Sequence, residues 1–485
     1  MDYDIVIRGG QIADGLGGPA VAGDVAIRDD RIVAVGEVPE DAGGQEIAAA
    51  GKTVTPGFVD VHTHDDRLLL ADPLMRCKTS QGVTTVVTGN CGISLAPLTI
   101  SGAPPPPLDL IAESGDEVFA SFGDYLDRLD AEPAALNAVC QVGHSTLRVG
   151  AMDSLDREAT PKELRAMQAE LEIAMAAGAA GFSTGLYYQP AKAATTVEVI
   201  ALARIAGEHG GFHSTHMRDE GDRVVDSLHE TFRIGKEADV PVVISHHKTS
   251  GMSNHGRTVE TLPLIDAAAS EQSLTFDVYP YNAASTVLMP EMIADSKRVI
   301  VTWSQARPDL AGRDLSEIAD ELGCDPVAAV EQLLPAGAIY FTIDEADVQR
   351  VLAHSGAMIG SDGLPHDTHP HPRLWGTFPR VLGHYARDLG LMSFEEAIRR
   401  MTSLPAQRFG LVDRGVIRPG AFADIVVLDA ERVIDKATFA DPIAPAEGID
   451  TVMVNGRVIV AEGQSTGERP GRALRLCELG SMRVR

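Results

Sequence analysis

Residues 57–66, GFVDVHTHDD, place two histidines one residue apart directly after an apolar run. Residues two apart on a β-strand point to the same side, so His62 and His64 can both reach one metal ion while Val61 and Thr63 face away. For either histidine alone, the alternative is a hydrogen-bonded polar residue at the end of a strand. The other strands of the chain therefore decide how this stretch is interpreted.

Seven more short apolar or β-branched runs follow, and helical stretches such as PKELRAMQAELEIAMAAGA separate most of them. Eight alternating βα units over about 350 residues predict a closed parallel (β/α)8 barrel, a TIM barrel of the α/β class. The predicted strands are GFVDVH (57–62), TTVVTG (84–89), NAVCQVGH (137–144), AAGFSTG (179–185), GFHSTH (211–216), PVVISHH (241–247), LTFDVYPY (274–281) and AMIGSDG (357–363).

The two ends of the chain have a different pattern. Short β segments with Gly and Asp at the turns fill about the first 55 residues, and PGAFADIVVLD and TVMVNGRVIV repeat that pattern near the other end. Neither end has enough strands to bury a sheet face alone, so residues 1–56 and 412–485 are predicted to form one small β-sandwich domain. Residues 57–411 then form the barrel, with an insertion at about 282–345 between the seventh and eighth strands.

The charge of the chain limits its partners. Lys and Arg number 41 against 69 Asp and Glu, which gives a formal net charge of −28. Charge of this sign argues against a nucleic-acid partner and against attraction to an anionic membrane. An anionic substrate would need a locally positive site.

The cellular compartment of the protein can also be predicted. The start, MDYDIVIRGG, does not have the pattern of a signal peptide, and no apolar run is long enough to span a bilayer. The five cysteines, at positions 77, 91, 140, 324 and 477, do not make a disulfide framework in a chain of this length. A reduced, cytoplasmic setting is therefore predicted.

Metal-ligand residue types recur where the predicted strands end. In a parallel barrel the reactive groups lie at the carboxyl ends of the strands, so these residues are expected at one mouth. Imidazole and thiolate are natural zinc ligands, and three protein ligands with an open fourth position are typical of a catalytic zinc. The residues are His62 and His64 after the first strand, Asn90 and Cys91 after the second, His216 after the fifth, His246 and His247 after the sixth, and Ser361 and Asp362 after the eighth.

Two of these residues have their own alternative explanations. A free cysteine usually packs as a small apolar residue, but Cys91 follows an apolar strand and precedes Gly92, which favours a metal ligand. Aspartate before glycine often forms a turn, but the predicted position of Asp362 beside the histidines favours catalysis. Next to a metal ion, such an aspartate can take a proton from water and pass it to a leaving group.

An ordered set of motifs runs along the chain. The motifs are TPGFVDVHTHDD, TSQGVTTVVTGNCGISLAP, VGHSTLR, FSTGLYYQP, STHMRDEG, PVVISHHK, DVYPY and IGSDGLPHDTHPHPRLWGTFPRVLG. With them, nearly the whole chain resembles the D-aminoacylase branch of the amidohydrolase superfamily, the N-acyl-D-amino-acid deacylases. The cysteine of GNCG distinguishes this branch from relatives that use a carboxylated lysine.

The resemblance implies a metal site and a substrate site. It implies one zinc ion held tightly by Cys91, His216 and His246, and a possible second, weaker site formed by His62, His64 and the shared Cys91. Asp362 matches the family's catalytic acid and base. The positions that match the family's substrate site are Arg373 and Tyr279, which hold the α-carboxylate, together with Lys248, Tyr188 and Ser285.

The predicted function is the zinc-dependent hydrolysis of a small molecule, an N-acyl-D-amino acid, to a carboxylate and a free D-amino acid. A monomer or a small homo-oligomer is expected. One rival is a cyclic-amide hydrolase of the hydantoinase kind, which needs no arginine for a free α-carboxylate. A second rival is a metal-binding scaffold without catalytic activity, and the presence of Asp362 argues against it.

The side chain of the substrate is left open between two groups. Members of the branch divide between apolar D-amino acids and D-glutamate or D-aspartate, and the deciding residues are predicted in the insertion near NAASTVLMPEMIADSKRVIVTWS. A charge partner for a side-chain carboxylate would come from Lys248 or Arg298. An apolar lining, which favours apolar substrates, would come from Val287, Leu288, Met289 and Met292.

Overall fold

The structure is a computed structural model that describes residues 2–40, 42–100, 102–113 and 115–483. Residues 1, 41, 484 and 485 of the predicted sandwich segments 1–56 and 412–485 lie outside the described residues. In the described part, β structure fills both ends of the chain, and strands alternate with helices between them.

The strands and helices have the following bounds. The strands are β1 (Tyr3–Ile12), β2 (Val21–Arg28), β3 (Arg31–Gly36), β4 (Gly43–Ala48), β5 (Thr53–Pro56), β6 (Phe58–Asp60), β7 (Val83–Thr88), β8 (Asn137–Gly143), β9 (Gly181–Gly185), β10 (Phe212–His216), β11 (Val242–Ile244), β12 (Leu274–Val278), β13 (Ala284–Val287), β14 (Val299–Ser304), β15 (Ala336–Tyr340), β16 (Ala357–Ile359), β17 (Ile425–Leu428), β18 (Ile449–Val454), β19 (Arg457–Ala461) and β20 (Gln464–Ser465). The helices are α1 (Leu68–Ala71), α2 (Arg76–Thr79), α3 (Phe122–Ala131), α4 (His144–Ala151), α5 (Pro161–Ala177), α6 (Gln189–Lys192), α7 (Thr196–Glu208), α8 (Val224–Ala238), α9 (Thr258–Ala269), α10 (Leu315–Leu322), α11 (Pro326–Leu333), α12 (Glu345–Ala353), α13 (Arg373–Arg380), α14 (Phe394–Met401) and α15 (Ser403–Arg408). A π-helical segment, Val381–Asp388, continues α13.

The middle of the chain forms a parallel barrel. Eight strands make one sheet in the order β16-β12-β11-β10-β9-β8-β7-β6, and each neighbouring pair is parallel. The two edge strands meet just beyond their ends, where Thr63 forms a parallel bridge with Gly363 and Asp362 N donates to His62 O over 2.8 Å. The predicted (β/α)8 barrel is confirmed, and every predicted strand segment overlaps one of these strands.

Helix α5 shows how local sequence forms the outer layer. The Thr160 side chain accepts a hydrogen bond from Glu163 N, and the Glu163 side chain accepts one from Thr160 N, which makes a capping box. Pro161 occupies the first turn, and Gly178 ends the helix in the left-handed conformation at φ 116°. The helix then buries Met167 against the barrel core.

An apolar cluster fills the barrel below the strand ends. Val59 of β6, Val139 of β8 and Phe212 of β10 belong to it, together with side chains from the C-terminal part of the chain. The rings of Phe212 and Phe409 pack edge to face with centroids 4.9 Å apart. This cluster leaves the carboxyl ends of the strands as the end where polar groups collect.

Between β12 and β16 the chain forms a small three-stranded antiparallel sheet in the order β13-β15-β14. Side chains of α10 and α11 pack with it in a separate apolar cluster that includes Leu288 and Val330. The sheet brings Ser285 of β13 to the mouth of the barrel. Bounds of about 282–345 for the insertion stay a prediction.

Strands from both ends of the chain share one sheet. Its order is β20-β19-β18-β17-β5-β1-β2-β3, and β4 pairs with β1. The sheet curls over on itself, since Ile32 N donates to Ala421 O over 2.9 Å and one apolar cluster joins Ile27 of β2 with Ile425 of β17. The domain boundaries at 56/57 and 411/412 stay predictions.

A buried lysine holds the seam between the first and last barrel strands. Lys78 Nζ donates to Asp60 Oδ2 over 2.8 Å and to Ser361 Oγ over 2.6 Å, and Asp65 Oδ2 lies 3.4 Å away. Asp60 Oδ1 also accepts from Ser361 N over 2.8 Å. The side chains of Lys78 and Asp60 are fully buried, so each charge depends on the other.

We expect Lys78→Met to lower the free energy of unfolding by about 3–5 kcal/mol, because it leaves the Asp60 carboxylate buried without its cation. Lys52→Met is the matched control. It removes an ion pair with Asp450 whose side chains are 32% and 29% exposed, and we expect it to cost less than about 1 kcal/mol. Urea unfolding of both variants measures the free energies of unfolding. Equal losses in the two variants would contradict the claim that Lys78 stabilises the contact between the first and last barrel strands.

Candidate metal centre and active site

Four ligand atoms collect at the carboxyl ends of the barrel strands. Cys91 Sγ lies 3.2 Å from His62 Nε2 and 3.4 Å from His246 Nε2, and Asp362 Oδ1 lies 3.4 Å from His62 Nε2. The four side chains are buried, and their ligand atoms all lie within 4.8 Å of one another. Sulfur and nitrogen ligands of a tetrahedral zinc ion lie about 3.6 Å apart, so the spacing of the Cys91 sulfur from the nitrogens of His62 and His246 fits one shared ion.

The charge state of Cys91 also fits a metal ligand. Burial raises the pKa of its thiol, but His62 and His246 face the sulfur and hold the pKa well below its usual range. A hydrogen bond with His216 acts in the same direction, which places His216 at the sulfur as well. Thiolate is the form of cysteine that binds zinc, and a soft sulfur with imidazole nitrogens is a zinc donor set.

A second group of possible ligands adjoins the first. His216, Glu220 and His246 are buried and have ligand atoms within 4.8 Å of one another. Glu220 was not among the sequence-predicted site residues. It stands four residues after His216 in STHMRDEG, so the signal that could have found it is an acidic residue following a predicted ligand at short range.

Glu220 holds the far side of the His246 ring. Its Oε1 lies 3.0 Å from His246 Nδ1, and its Oε2 lies 2.7 Å from Lys248 Nζ. Lys248 Nζ also lies 2.9 Å from His246 Nδ1, so when His246 Nε2 faces a metal, Glu220 and Lys248 hold the orientation of the ring from its other side. Burial raises the pKa of Glu220, but Lys248 and the two histidines outweigh burial and hold the pKa below its usual range.

We expect Glu220→Gln to weaken zinc binding by about 10–100-fold, because a ligand-orienting carboxylate is lost. The zinc dissociation constant, measured by competition with a chelator, checks this. Glu237→Gln removes an exposed carboxylate from α8 that pairs with Arg233 far from the donor group, and zinc binding should stay as in the wild type. Unchanged zinc binding in Glu220→Gln would contradict the orienting role.

Three site residues have strained backbones. Cys91, His246 and Asp362 are non-glycine residues with positive φ, at 52°, 36° and 51°. Such conformations cost about 1–3 kcal/mol each and persist where the surrounding structure holds them, often at functional sites. The turns that follow β7, β11 and β16 thus aim these three side chains inward at a cost in backbone energy.

His62 and His64 reach the site from beyond the end of the strand. Strand β6 ends at Asp60, whereas the sequence pattern predicted that it extends to His62. His64 Nε2 lies 3.2 Å from Asp362 Oδ1, and His62 Nδ1 lies 3.3 Å from Asp277 Oδ1. Asp277, a second residue that sequence reasoning missed, therefore holds the outer nitrogen of His62 as Glu220 holds that of His246.

Asp362 pairs with Arg373 behind the donor group. Arg373 Nη1 lies 2.8 Å from Asp362 Oδ2, and Nη2 donates to Ser285 O over 3.1 Å. Burial raises the pKa of Asp362, but Arg373 and His62 hold it well below its usual range, so the carboxylate is ionised and can accept a proton. The Arg373 guanidinium stacks over the Tyr279 ring at 4.6 Å and is fully buried.

A cavity of about 250 Å³ opens over this site. Its walls include the sequence-predicted residues His64, Cys91, Tyr188, His216, His246, Lys248, Tyr279, Ser285 and Asp362. Arg373 lies behind the wall, against Asp362 and Tyr279. The Tyr279 hydroxyl is buried without a hydrogen-bond partner among the described residues, and that of Tyr188 lies 2.9 Å from Thr286 Oγ1.

The predicted lining from the insertion is largely wrong. Of its four apolar residues, only Met292 reaches the cavity. Leu288 packs in the insertion's own core, and Val287 and Met289 pack with the barrel's main apolar cluster. Arg298 Nε lies 2.7 Å from Asp314 Oδ2 away from the cavity. The reason is that these apolar side chains complete the apolar clusters of the barrel and of the insertion instead of facing a partly polar cavity.

A closed parallel barrel with histidine, cysteine and aspartate side chains gathered at its carboxyl mouth is typical of metal-dependent hydrolases of the amidohydrolase type. The model of the amidohydrolase family matches residues 45–253 and 310–460. The chain belongs to this family, which confirms the resemblance that the motifs carry.

Individual relatives show which members of the amidohydrolase family this chain is similar to. The chain is 54% identical over 472 residues to the D-aminoacylase of Alcaligenes xylosoxydans xylosoxydans, and the match covers 97% of each chain. It is 49% identical to an N-acyl-D-aspartate deacylase of the same organism, and that match covers 97% of this chain and 95% of the relative. A crystal structure of D-aminoacylase superposes with a TM-score of 0.95 at 54% identity, over 98% of this chain and 100% of that one. The N-acyl-D-glutamate deacylase of Bordetella bronchiseptica, solved with zinc and a phosphonate inhibitor, superposes with a TM-score of 0.94 at 44% identity, over 98% and 100% of the two chains.

Proposed function

We propose that this chain is a zinc-dependent deacylase that hydrolyses N-acyl-D-amino acids to a carboxylate and a free D-amino acid. The observation that carries this proposal is the ionised Asp362 beside the Cys91 and histidine donor group, with the Arg373 guanidinium on its other side. The activities of the relatives at 54% and 49% identity, and the zinc in the glutamate deacylase structure, support it.

Cys91, His216 and His246 would hold the zinc ion tightly, and His62 and His64 would form a weaker second site with Cys91. When bound, zinc supplies a Lewis acid that polarises the amide carbonyl and makes water easier to deprotonate. A D-aminoacylase relative has a binuclear metal centre, which supports the expectation of a second site.

Asp362 moves the proton. Its Oδ1 faces His62 and His64 across the site and accepts the proton of the attacking water. The same carboxyl then delivers that proton to the departing nitrogen, because without it the nitrogen would have to leave as a strongly basic amide anion. Asp277 and Glu220 keep the imidazole rings in place while this happens.

The substrate's α-carboxylate is the anion that this very acidic protein must attract. Arg373 would supply the positive charge, and the Tyr279 hydroxyl, which lacks a partner among the described residues, would supply a neutral donor. Lys248, Tyr188 and Ser285 line the same cavity and complete the proposed substrate site.

Arg373→Met separates this function from a cyclic-amide hydrolase. In the zinc-loaded wild type, we expect N-acetyl-D-methionine to be hydrolysed far faster than its carboxamide or a hydantoin. In the variant, kcat/KM for the acid should fall by about 10–150-fold more than kcat/KM for the carboxamide, because both substrates lose the Arg373 partner of Asp362 but only the acid also loses the charged hydrogen bond to its carboxylate. Preferential hydrolysis of the hydantoin, or equal losses for acid and carboxamide, would contradict the proposal.

The setting proposed for this enzyme is the cytoplasm, as a monomer or small homo-oligomer. The cysteines are all unpaired in the structure, which supports a reduced compartment. Among the described residues, the helices are too short or too polar to cross a bilayer.

A further inference from the structure

One side of the catalytic cavity carries unpaired negative charge. Asp219 and Asp222 follow β10, and Glu291 and Asp295 come from the insertion; all four line the cavity. Among the described residues, none of them has a lysine, arginine or histidine within ion-pair distance. Asp219 accepts only from the backbone N–H groups of Gly221 and Arg223, over 2.7 and 3.2 Å. We name these four residues the acidic wall.

The negative charges converge on one side of the cavity. Burial, and then the charges of Glu291, Glu220 and Asp219, raise the pKa of Tyr187 to about 12. Tyr187 also lines the cavity, so Asp219 from the loop after β10 and Glu291 from the insertion both lie near the same side chain. The buried Tyr279 hydroxyl, which lacks a partner among the described residues and lies on the wall of the same cavity, indicates that this cavity binds a ligand.

The cavity offers no free cation to a substrate side chain. Lys248 is the one Lys or Arg among the described residues that line it, and Glu220 Oε2 neutralises it at 2.7 Å. Arg373 lies behind the wall and is assigned to the α-carboxylate. Elsewhere the cavity is lined by apolar side chains that include Ile93, Leu110 and Leu364.

We propose that the cavity selects N-acyl-D-amino acids by side-chain charge, rejecting anionic side chains and accepting cationic ones such as those of D-lysine and D-arginine. With the α-carboxylate anchored, the acyl group and the side chain extend into the rest of the cavity. An anionic side chain meets either the carboxylates of the acidic wall or apolar groups, so either placement is unfavourable. A cationic side chain is attracted to the acidic wall.

This inference rests on the proposed deacylase function and is tested with two matched substrate pairs. In the zinc-loaded enzyme, we expect kcat/KM for N-acetyl-D-glutamine to exceed that for N-acetyl-D-glutamate by tenfold or more, since each carboxylate at about 6 Å in a water-like dielectric contributes roughly threefold. N-acetyl-D-lysine should match or exceed N-acetyl-D-norleucine, its uncharged near-isostere. Raising the salt concentration should shrink both differences.

Glu291→Lys tests whether the acidic wall causes the selection. Relative to N-acetyl-D-norleucine, kcat/KM for N-acetyl-D-glutamate should rise by about tenfold, because a charge of −1 becomes +1. Glu331→Lys is the control, since it makes the same charge change at an exposed position of α11 outside the cavity. It should leave the substrate ratios as they are.

The outcomes separate the inference from the function on which it rests. Hydrolysis of the norleucine substrate with glutamate equal to or better than glutamine would overturn the charge selection and leave the deacylase function standing. A glutamine preference that neither Glu291→Lys nor salt alters would also overturn it, because charge would not be the cause. Failure to hydrolyse every one of these substrates would overturn both.

Discussion

Asp362→Asn is expected to lower kcat for N-acetyl-D-methionine by about 10²–10⁴-fold, the range that a general acid and base contributes. The amide has the size of the carboxyl group but cannot accept the proton of water and return it to the amine. Zinc content should stay at the wild-type level, because Cys91, His216 and His246 are unchanged. Steady-state kinetics together with metal analysis by mass spectrometry measure both quantities.

Asp367→Asn is the matched control for this variant. Asp367 lies in the same loop and is buried, and burial raises the pKa of its carboxyl to about 7. Its carboxyl is therefore already partly protonated, and an amide imitates that form. We expect kcat to change by less than about threefold, within the range typical of mutations that touch no reacting group. Full activity in zinc-loaded Asp362→Asn would contradict the mechanism.

Cys91→Ala is expected to remove the tightly held zinc ion and to abolish hydrolysis. Cys91 Sγ is the atom around which the imidazoles of His62 and His246 gather, so its loss takes away the only thiolate of the donor group. The purified variant should contain far less than one zinc ion per chain. Added zinc should also stabilise it less against heat than it stabilises the metal-depleted wild type.

Cys140→Ala gives the comparison that this experiment needs. Cys140 is a buried, unpaired cysteine on β8, and burial holds the pKa of its thiol near 12, so it stays neutral. Its replacement should cost stability through lost packing and leave the zinc content unchanged. Zinc bound at the wild-type level in Cys91→Ala would contradict the assignment of the thiolate as a ligand.

The barrel could be predicted because its signal is local. Each strand is a short apolar run between turns or helices, and His62, Cys91, His216, His246 and Asp362 stand at or just past strand ends, where a parallel barrel gathers them. The family motifs added the substrate residues. The sequence therefore predicts well which residues lie at the mouth of the barrel.

The supporting contacts could not be predicted in the same way. Asp277 contacts His62 across 215 residues, and Lys78 contacts Ser361 across 283, and no local pattern marks either pair. The positive φ angles of Cys91 and His246 depend on the packing around them. Insertion residues such as Leu288 looked like pocket residues because an apolar strand has the same composition whether it faces a cavity or its own core.

The central claim is that this chain hydrolyses the amide bond of N-acyl-D-amino acids at its zinc centre. The most direct test compares N-acetyl-D-methionine with N-acetyl-L-methionine, using purified protein with one equivalent of zinc and following the release of free methionine. We predict kcat/KM of about 10⁴ M⁻¹s⁻¹ or more for the D-enantiomer and at least about 100-fold less for the L-enantiomer. Only one enantiomer can position its side chain, its amide and its anchored carboxylate in the cavity at the same time. Equal rates for the two enantiomers, or hydrolysis of neither, would contradict the account.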